Sequence, residues 1–242
     1  MNVLEPTLYW PTFRLKSLYV QILVAFENMK TQSNNTALPT REIRKSPRQQ
    51  RAIATVESIK AAVLEIAAKQ GFTDITITQI AEKAGIAKGS LYQYFSGRNA
   101  IYLALFEDAS AEMTANMKDL YVQILDLPIH QGVGKVLQHH LDFVRLHYLV
   151  FLLMPNQVPH LHLASHPITY ENLIVRFTRN YITDICPGLS PKEIEHRAFF
   201  VHEIAKSCIY RFLSDPPEKM SDKEFTRGLT NLIADYLVRR AA

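Results

Sequence analysis

The chain holds only two cysteines, Cys186 and Cys208, in 242 residues. So few exclude a disulfide framework and predict a reducing, cytoplasmic setting. Long apolar runs are also missing. None reaches the ~18 residues needed to cross a bilayer, so no membrane span is predicted. No strand-like alternation occurs after residue 100. A phosphate-binding loop is absent too. His202-Glu203 lacks a second histidine at zinc-protease spacing, and the His139, His140 and Asp142 cluster has no nucleophile beside it. An enzyme is therefore not expected. All nine histidines fall between His130 and His202, with His160, His162 and His166 grouped. Their spacing matches no metal motif and neither cysteine completes one, so no metal and no cofactor is expected.

What the chain does have is apolar residues, 48% of the total, enough for a sizeable core. Its length suits one large domain or two small ones. The net charge of +4 is unevenly placed: residues 41 to 98 carry ten cations against five anions. Such a local excess is the electrostatic footprint of a nucleic-acid binder.

That basic region contains the most informative stretch, TITQIAEKAGIAKGSLYQYFSGR, residues 76 to 98. Thr76 and Gln79 form a capping box that starts a helix, with Ile75 and Ile80 as a hydrophobic staple. Ile77, Ile80, Ala81 and Ala84 give its buried face. Gly85 suits a left-handed cap, and Ile86 turns back into the core. Leu91 and Phe95 are the buried side of a second helix. A helix pair with this turn is a helix-turn-helix, whose second helix enters the major groove. Gln93 can pair with an adenine edge. Ser90 and Tyr92 can reach bases or phosphates, and Lys88 and Arg98 can neutralise phosphates.

Taken with its flanks, GFTDITITQIAEKAGIAKGSLYQYFSGRNAIYLALFE resembles the DNA-binding domain of the TetR family of transcriptional regulators. The likeness rests on Gly71-Phe72, Thr76, Ile80-Ala81, Ala84-Gly85-Ile86, Gly89-Ser90-Leu91-Tyr92, Tyr94-Phe95 and the cation Arg98. It spans about residues 48 to 107. The DNA-contacting set it implies is Arg48, Thr76, Thr78, Gln79, Lys88, Gly89, Ser90, Tyr92, Gln93, Tyr94 and Arg98. Two departures weaken caps: Ala87 stands where the family has Ser, and Gly97-Arg98-Asn99 where it favours Ser-Lys-Glu.

The resemblance implies an all-α fold: a three-helix DNA-binding domain at residues 46–97 and a helical effector-binding and dimerisation domain at 98–242. Ser46, Pro47 and Gln49 should start helix 1, whose core stripe is Val56, Ile59, Val63 and Ile66. Residues 1–45 form an extension. In it, Arg41, Arg44 and Lys45 read either as a DNA-following basic arm or as a solvated tail. Residues 1–28 fit neither a signal peptide nor a basic membrane helix, which suggests that Met29 is the native start.

Beyond the reader, helices are expected from 98 to about 119, from Pro128 to about 153 (ended by Pro155), and from Pro167 to about 185. Capping boxes at Ser190/Glu193 and Ser221/Glu224 start two more. In those two, Ile194, Ala198, Val201, Ala205, Cys208 and Phe212, with Phe225, Leu229, Leu232 and Tyr236, repeat at spacings of four and three. That pattern suits helix-on-helix packing. The resemblance makes it the homodimer interface. It also implies an effector pocket in the middle helices, for which His139, Phe143, His147, Phe151, Tyr170, Phe177, Tyr181 and His202 are candidates.

The resulting expectation is a ligand-responsive repressor that binds a palindromic operator as a dimer and is released by a small-molecule effector. The alternative is an effector-free architectural or division-related DNA-binding protein of the same fold.

Overall fold

A computed structural model of the chain describes residues 47–163, 170–186 and 188–238. The side chains of residues 47, 48 and 170–173 are outside that description. The chain divides into two compact units, residues 1–52 and 53–242. Only the opening of helix α1 (Pro47–Gln70) is described in the first. The expected Ser46 cap, the arm at Arg41, Arg44 and Lys45, the Met29 start and the Pro167 helix start all lie outside the described residues.

Every described element is helical. In the second unit α1 continues to Gln70, and Ile59, Val63 and Ala67 are buried along it. Val56 and Ile66, also expected in its stripe, are half-buried. Helix α2 (Ile77–Ala84) starts with the expected capping box: Gln79 N donates to Thr76 Oγ1 at 3.2 Å, and Thr76 N to Gln79 Oε1 at 2.8 Å. It ends at Gly85, φ 69°, where Gly85 N donates to Glu82 O and Ile86 N to Ala81 O. This paired closure needs a left-handed residue, which glycine adopts without a Cβ clash.

Helix α3 (Lys88–Leu91) is short, but Tyr94 and Phe95 still donate to Leu91 O, so the helical winding carries on into Phe95. Helix α4 (Arg98–Ile124) runs further than 119, because Leu120 and Ile124 continue its buried stripe.

A single helix to about residue 153 is not what forms. Helix α5 (Ile129–Leu146) ends at His147, a π turn spans Leu149–Leu153, and helix α6 (Met154–Gln157) follows. Pro155 sits in the first turn of α6 rather than stopping a helix. Proline has no N–H, and its ring crowds the carbonyl four residues back. The wider π turn before it, closed by Met154 N donating to Leu149 O, accommodates that demand. A 3-10 turn at Pro159–Leu161 comes next.

Helices α7 (Tyr170–Ile185), α8 (Pro191–Ser214) and α9 (Asp222–Val238) complete the chain. Both expected capping boxes form: Glu193 N donates to Ser190 Oγ, and Glu224 N to Ser221 Oγ, each at 3.3 Å. Helix α9 packs on α5, α7 on α8, and α4 against both α5 and α7. No described helix is long and apolar enough to cross a membrane.

Candidate nucleic-acid interface and interior cavity

Residues that anchor the reader are buried, and those that face outward are polar or aromatic. Ile75, Ile80 and Leu91 are fully buried, and Ser58 Oγ on α1 donates to Ala84 O at 3.1 Å. On the opposite side of α3, Tyr92 is 51% exposed and Tyr94 37%. Thr78, Lys88, Gly89 and Gln93 are exposed too, and Ser90 is half-buried. A Cβ at Gly89 would meet nothing within 4 Å, so no packing inside the chain requires glycine there.

Other members of the expected DNA-contacting set have internal tasks. Thr76 and Gln79 are bound to each other in the capping box, where Thr76 Oγ1 also donates to Gln79 Oε1 at 3.0 Å. Arg98 Nη1 donates to Thr73 O at 2.8 Å and Ile75 O at 3.0 Å, which fixes the loop before α2. Its guanidinium therefore braces the loop that leads into α2. The side chain of Arg48 lies outside the described residues. Lys83 pairs with Glu65 at 2.6 Å, and Lys60 with Glu57 and Asp108, so part of the local positive excess is spent within the fold. Ala87 and Gly97 make no side-chain cap bond, as the sequence leads one to expect.

The loop from Gly71 to Ile75 is held from a third direction, which sequence reasoning missed. Gln157 Oε1 on α6 accepts a 2.6 Å hydrogen bond from Phe72 N. Gly71, φ 78°, leaves room for it, since a Cβ there would lie 2.6 Å from the same oxygen. Tyr102 on α4 donates through its hydroxyl to Phe72 O at 2.9 Å, and its ring meets Phe72 edge-on at 5.2 Å. Asn99 lies 3.4 Å from His160 on the turn after α6. No short-range sequence signal links Gln157 to Phe72, 85 residues apart.

Among the expected pocket residues, Phe177, Tyr181 and His202 line one cavity. It lies among α4, α5, α7, α8 and α9 and has room for about 50 Å³ of water-sized contents. The candidates on α5 and the turn after it go elsewhere. His139, Phe143, His147 and Phe151 follow one another ring to ring, with successive centroids 6.4, 4.4 and 6.1 Å apart, the first pair stacked, the second tilted and the third edge-on. His147 Nε2 lies 3.4 Å from Glu112 on α4, and this contact lowers the pKa of the Glu112 carboxyl. One residue on a helix is about 100° of rotation. The cavity wall is therefore the neighbouring stripe, Val133, Val136, Leu137 and His140. His140 and Lys206 are cavity residues that the aromatic stripe at spacing four passed over. Burial, with His202 and His139 nearby, pushes the His140 pKa down to about 3. The side chain of Tyr170 lies outside the described residues.

The expected dimer seam is partly corrected. Ala198, Phe212 and Leu229 are covered within the chain itself, and Val201 and Ala205 face the cavity. Ile194, Cys208, Phe225 and Tyr236 are half-buried. A four-and-three pattern identifies an apolar face but not what lies against it. Leu232, a member of the expected seam, is 55% exposed, and Phe200, outside it, is 51% exposed with its ring 6.2 Å from that of Tyr236.

An exposed, braced second helix behind a glycine turn, on an all-helical chain, defines a helix-turn-helix protein. Residues 59–105 match the family model described as bacterial regulatory proteins, tetR family. Over those residues the chain is similar to the tetR family. Over 105 residues it is 29% identical to the uncharacterized HTH-type transcriptional regulator YerO of Bacillus subtilis. That match covers 43% of this chain but only 36% of YerO. In fold it is similar to the fatty acid degradation regulator FadR of Bacillus halodurans, with a TM-score of 0.57 and 14% identity over 80% of this chain and 96% of that one. It is also similar to FadR of Thermus thermophilus, a transcriptional repressor solved with lauroyl-CoA: TM-score 0.52, 16% identity, over 77% and 97% of the two chains.

Proposed function

We propose that this chain is a cytoplasmic, ligand-responsive transcriptional repressor. Two copies bind a palindromic DNA operator, and a small molecule entering the interior cavity releases them. The observation that carries the DNA-binding part is the contrast across α3. Leu91 is fully buried, while Tyr92, Gln93 and Tyr94 are presented to solvent on a braced scaffold. Gln93 offers an amide that suits an adenine edge, and Lys88 a cation for phosphate. Glycine in a helix costs about 1 kcal/mol relative to alanine. Gly89, with no neighbour to accommodate, suits close approach of the DNA backbone.

Dimerisation is supported by the exposed apolar side chains of Phe200 and Leu232, and by the few bases one short helix can read. The effector part is supported by the cavity and by the repressor of similar fold solved with lauroyl-CoA. A ligand must bind the two states of the protein unequally to release DNA.

The test is selection of bound genomic fragments, followed by gel shift with wild type and Tyr92→Ala. We expect the variant to stay dimeric in sedimentation and to lose sequence-specific affinity by about tenfold or more. Specific binding by Tyr92→Ala at wild-type strength overturns the assignment of the reader.

The small cavity favours one other reading, a DNA-binding architectural protein of the same fold with no effector. Ligand pockets usually enclose about 300–1,000 Å³. A thermal-shift screen with small lipophilic compounds separates the two, because a sensor gains stability on binding and an architectural protein does not.

A further inference from the structure

The cavity wall is mostly apolar, with Met117, Val133, Leu137, Phe177 and Ile182 among its members. Its ionisable groups are already engaged within the chain. Lys206 pairs with Glu203 at 3.5 Å, and His202 Nε2 lies 3.8 Å from the same carboxylate. Burial keeps His140 neutral, with His202 and His139 beside it. An ion entering this space would give up its hydration and find no free counter-charge among the described lining residues.

Tyr181 on α7 stands apart. It is 4% exposed, and its hydroxyl is buried with no hydrogen-bond partner. Burial also raises its pKa, so the group remains an O–H donor. The hydroxyl lies against Gly132 on α5, where a Cβ would come within 2.1 Å of it. Gly132 directly precedes Val133 and lies one turn before Val136, both in the wall, so the hydroxyl sits at the α5 edge of the cavity. Native proteins rarely leave a buried polar group unmatched, and an exception calls for something that satisfies it.

We propose that the cavity takes a compact, uncharged carbonyl compound, such as a short ketone, aldehyde or ester, whose oxygen accepts the hydrogen bond of the Tyr181 hydroxyl. Val133, Leu137 and Phe177 receive its apolar body. A carbonyl brings an acceptor and no donor that would itself need a partner inside the fold. One water needs about 10–15 Å³, so a space of about 50 Å³ suits a molecule of a few heavy atoms. This inference rests on the reading of the cavity as an effector site and narrows the chemistry of the effector.

The experiment uses the purified full chain with isotope-labelled methionine methyls, so that Met117 reports on the cavity by NMR. The probes are butanone, 2-methylbut-1-ene, propanoate and sec-butylammonium, matched in size. Butanone should shift the Met117 methyl saturably and bind about tenfold or more tightly than either ion. Tyr181→Phe should fold, since only an unpartnered hydroxyl is lost. It should weaken butanone about two- to tenfold, as one net hydrogen bond implies, and leave the alkene unchanged.

The proposal is overturned if either ion binds more tightly than butanone, or if Tyr181→Phe leaves butanone untouched or weakens the alkene as much. It also falls if no probe shifts Met117, since trapped water would then be the partner of the hydroxyl. Operator binding is measured separately. A chain that binds its operator but ignores butanone sinks the ligand class alone. One that binds butanone but no DNA sinks the regulator reading and leaves the ligand class standing.

Discussion

The reader and the cavity are built on opposite rules. In the reader, polar groups either close a local bond or face solvent: Thr76 and Gln79 cap α2, Arg98 ties down two carbonyls, and Gln93 and Tyr92 point outward. In the cavity region, polar groups are buried, and the Tyr181 hydroxyl is left unsatisfied. The first arrangement suits a surface that must hold one shape while it meets a rigid duplex. The second suits an interior whose stability rises when something enters it. What the two regions share is the Gly71–Ile75 loop, bound by α4 on one side and by Gln157 on the other.

The sharpest way to break the comparison is to damage the anchor of the reader without touching its surface. Leu91→Ala should cost about 2–5 kcal/mol in urea unfolding, as a large-to-small change at a fully buried position does. DNA binding should fall with the fold. A loss under ~1 kcal/mol would mean that Leu91 is not the anchor.

The next largest effect should come from the shared loop. Gln157→Ala removes the acceptor of the Phe72 N–H, for which we expect about 1–3 kcal/mol. Operator affinity should fall with it, and so should its response to the effector, because α6 would lose a direct hold on the reader loop. Unchanged affinity and unchanged response would reduce Gln157 to a local cap.

How much of this was legible in the sequence follows from the range of each interaction. The capping boxes at Thr76, Ser190 and Ser221 and the closure at Gly85 are set by residues within a few positions, so pattern reading places them correctly. The ends of α4 and α5 depend on packing partners far along the chain, and there the expected boundaries drift. The cavity was half legible. Aromatic spacing singles out a real stripe at His139, Phe143, His147 and Phe151, but only the packed fold shows that the adjacent stripe with His140 faces inward. Two members of the expected seam have a reason inside the chain: Ala198 and Phe212, apolar at helical spacing, are buried within it, whereas Leu232 is exposed.

A pH series sharpens the contrast at intermediate size. The His140 pKa is pushed down to about 3 in the folded chain, whereas an unfolded histidine titrates near ~6.5. The unfolded state therefore binds the extra proton first. Stability should be fully present above about pH 6.5 and should fall as pH drops toward 3, by up to about 1.4 kcal/mol per pH unit from this group. His140→Phe should flatten that part of the profile, while Tyr92→Ala in the reader should leave it alone. An equally steep decline in His140→Phe would move the source to other groups.

The smallest expected change is a gain. Ala87 already has an extended N-cap backbone, φ −66° and ψ 142°, but offers no side-chain acceptor to the first turn of α3. In Ala87→Ser the hydroxyl can accept from the N–H of Gly89 or Ser90. A helix this short depends heavily on its caps, and we expect about 0.5–1 kcal/mol of added stability. Gly97→Ser at the start of α4 should give only a few tenths, because glycine is itself a tolerated N-cap. A higher melting temperature for Ala87→Ser with tighter operator binding would show that reader rigidity limits affinity. A higher melting temperature with unchanged binding would place the limit instead in the contacts made by Lys88, Tyr92 and Gln93.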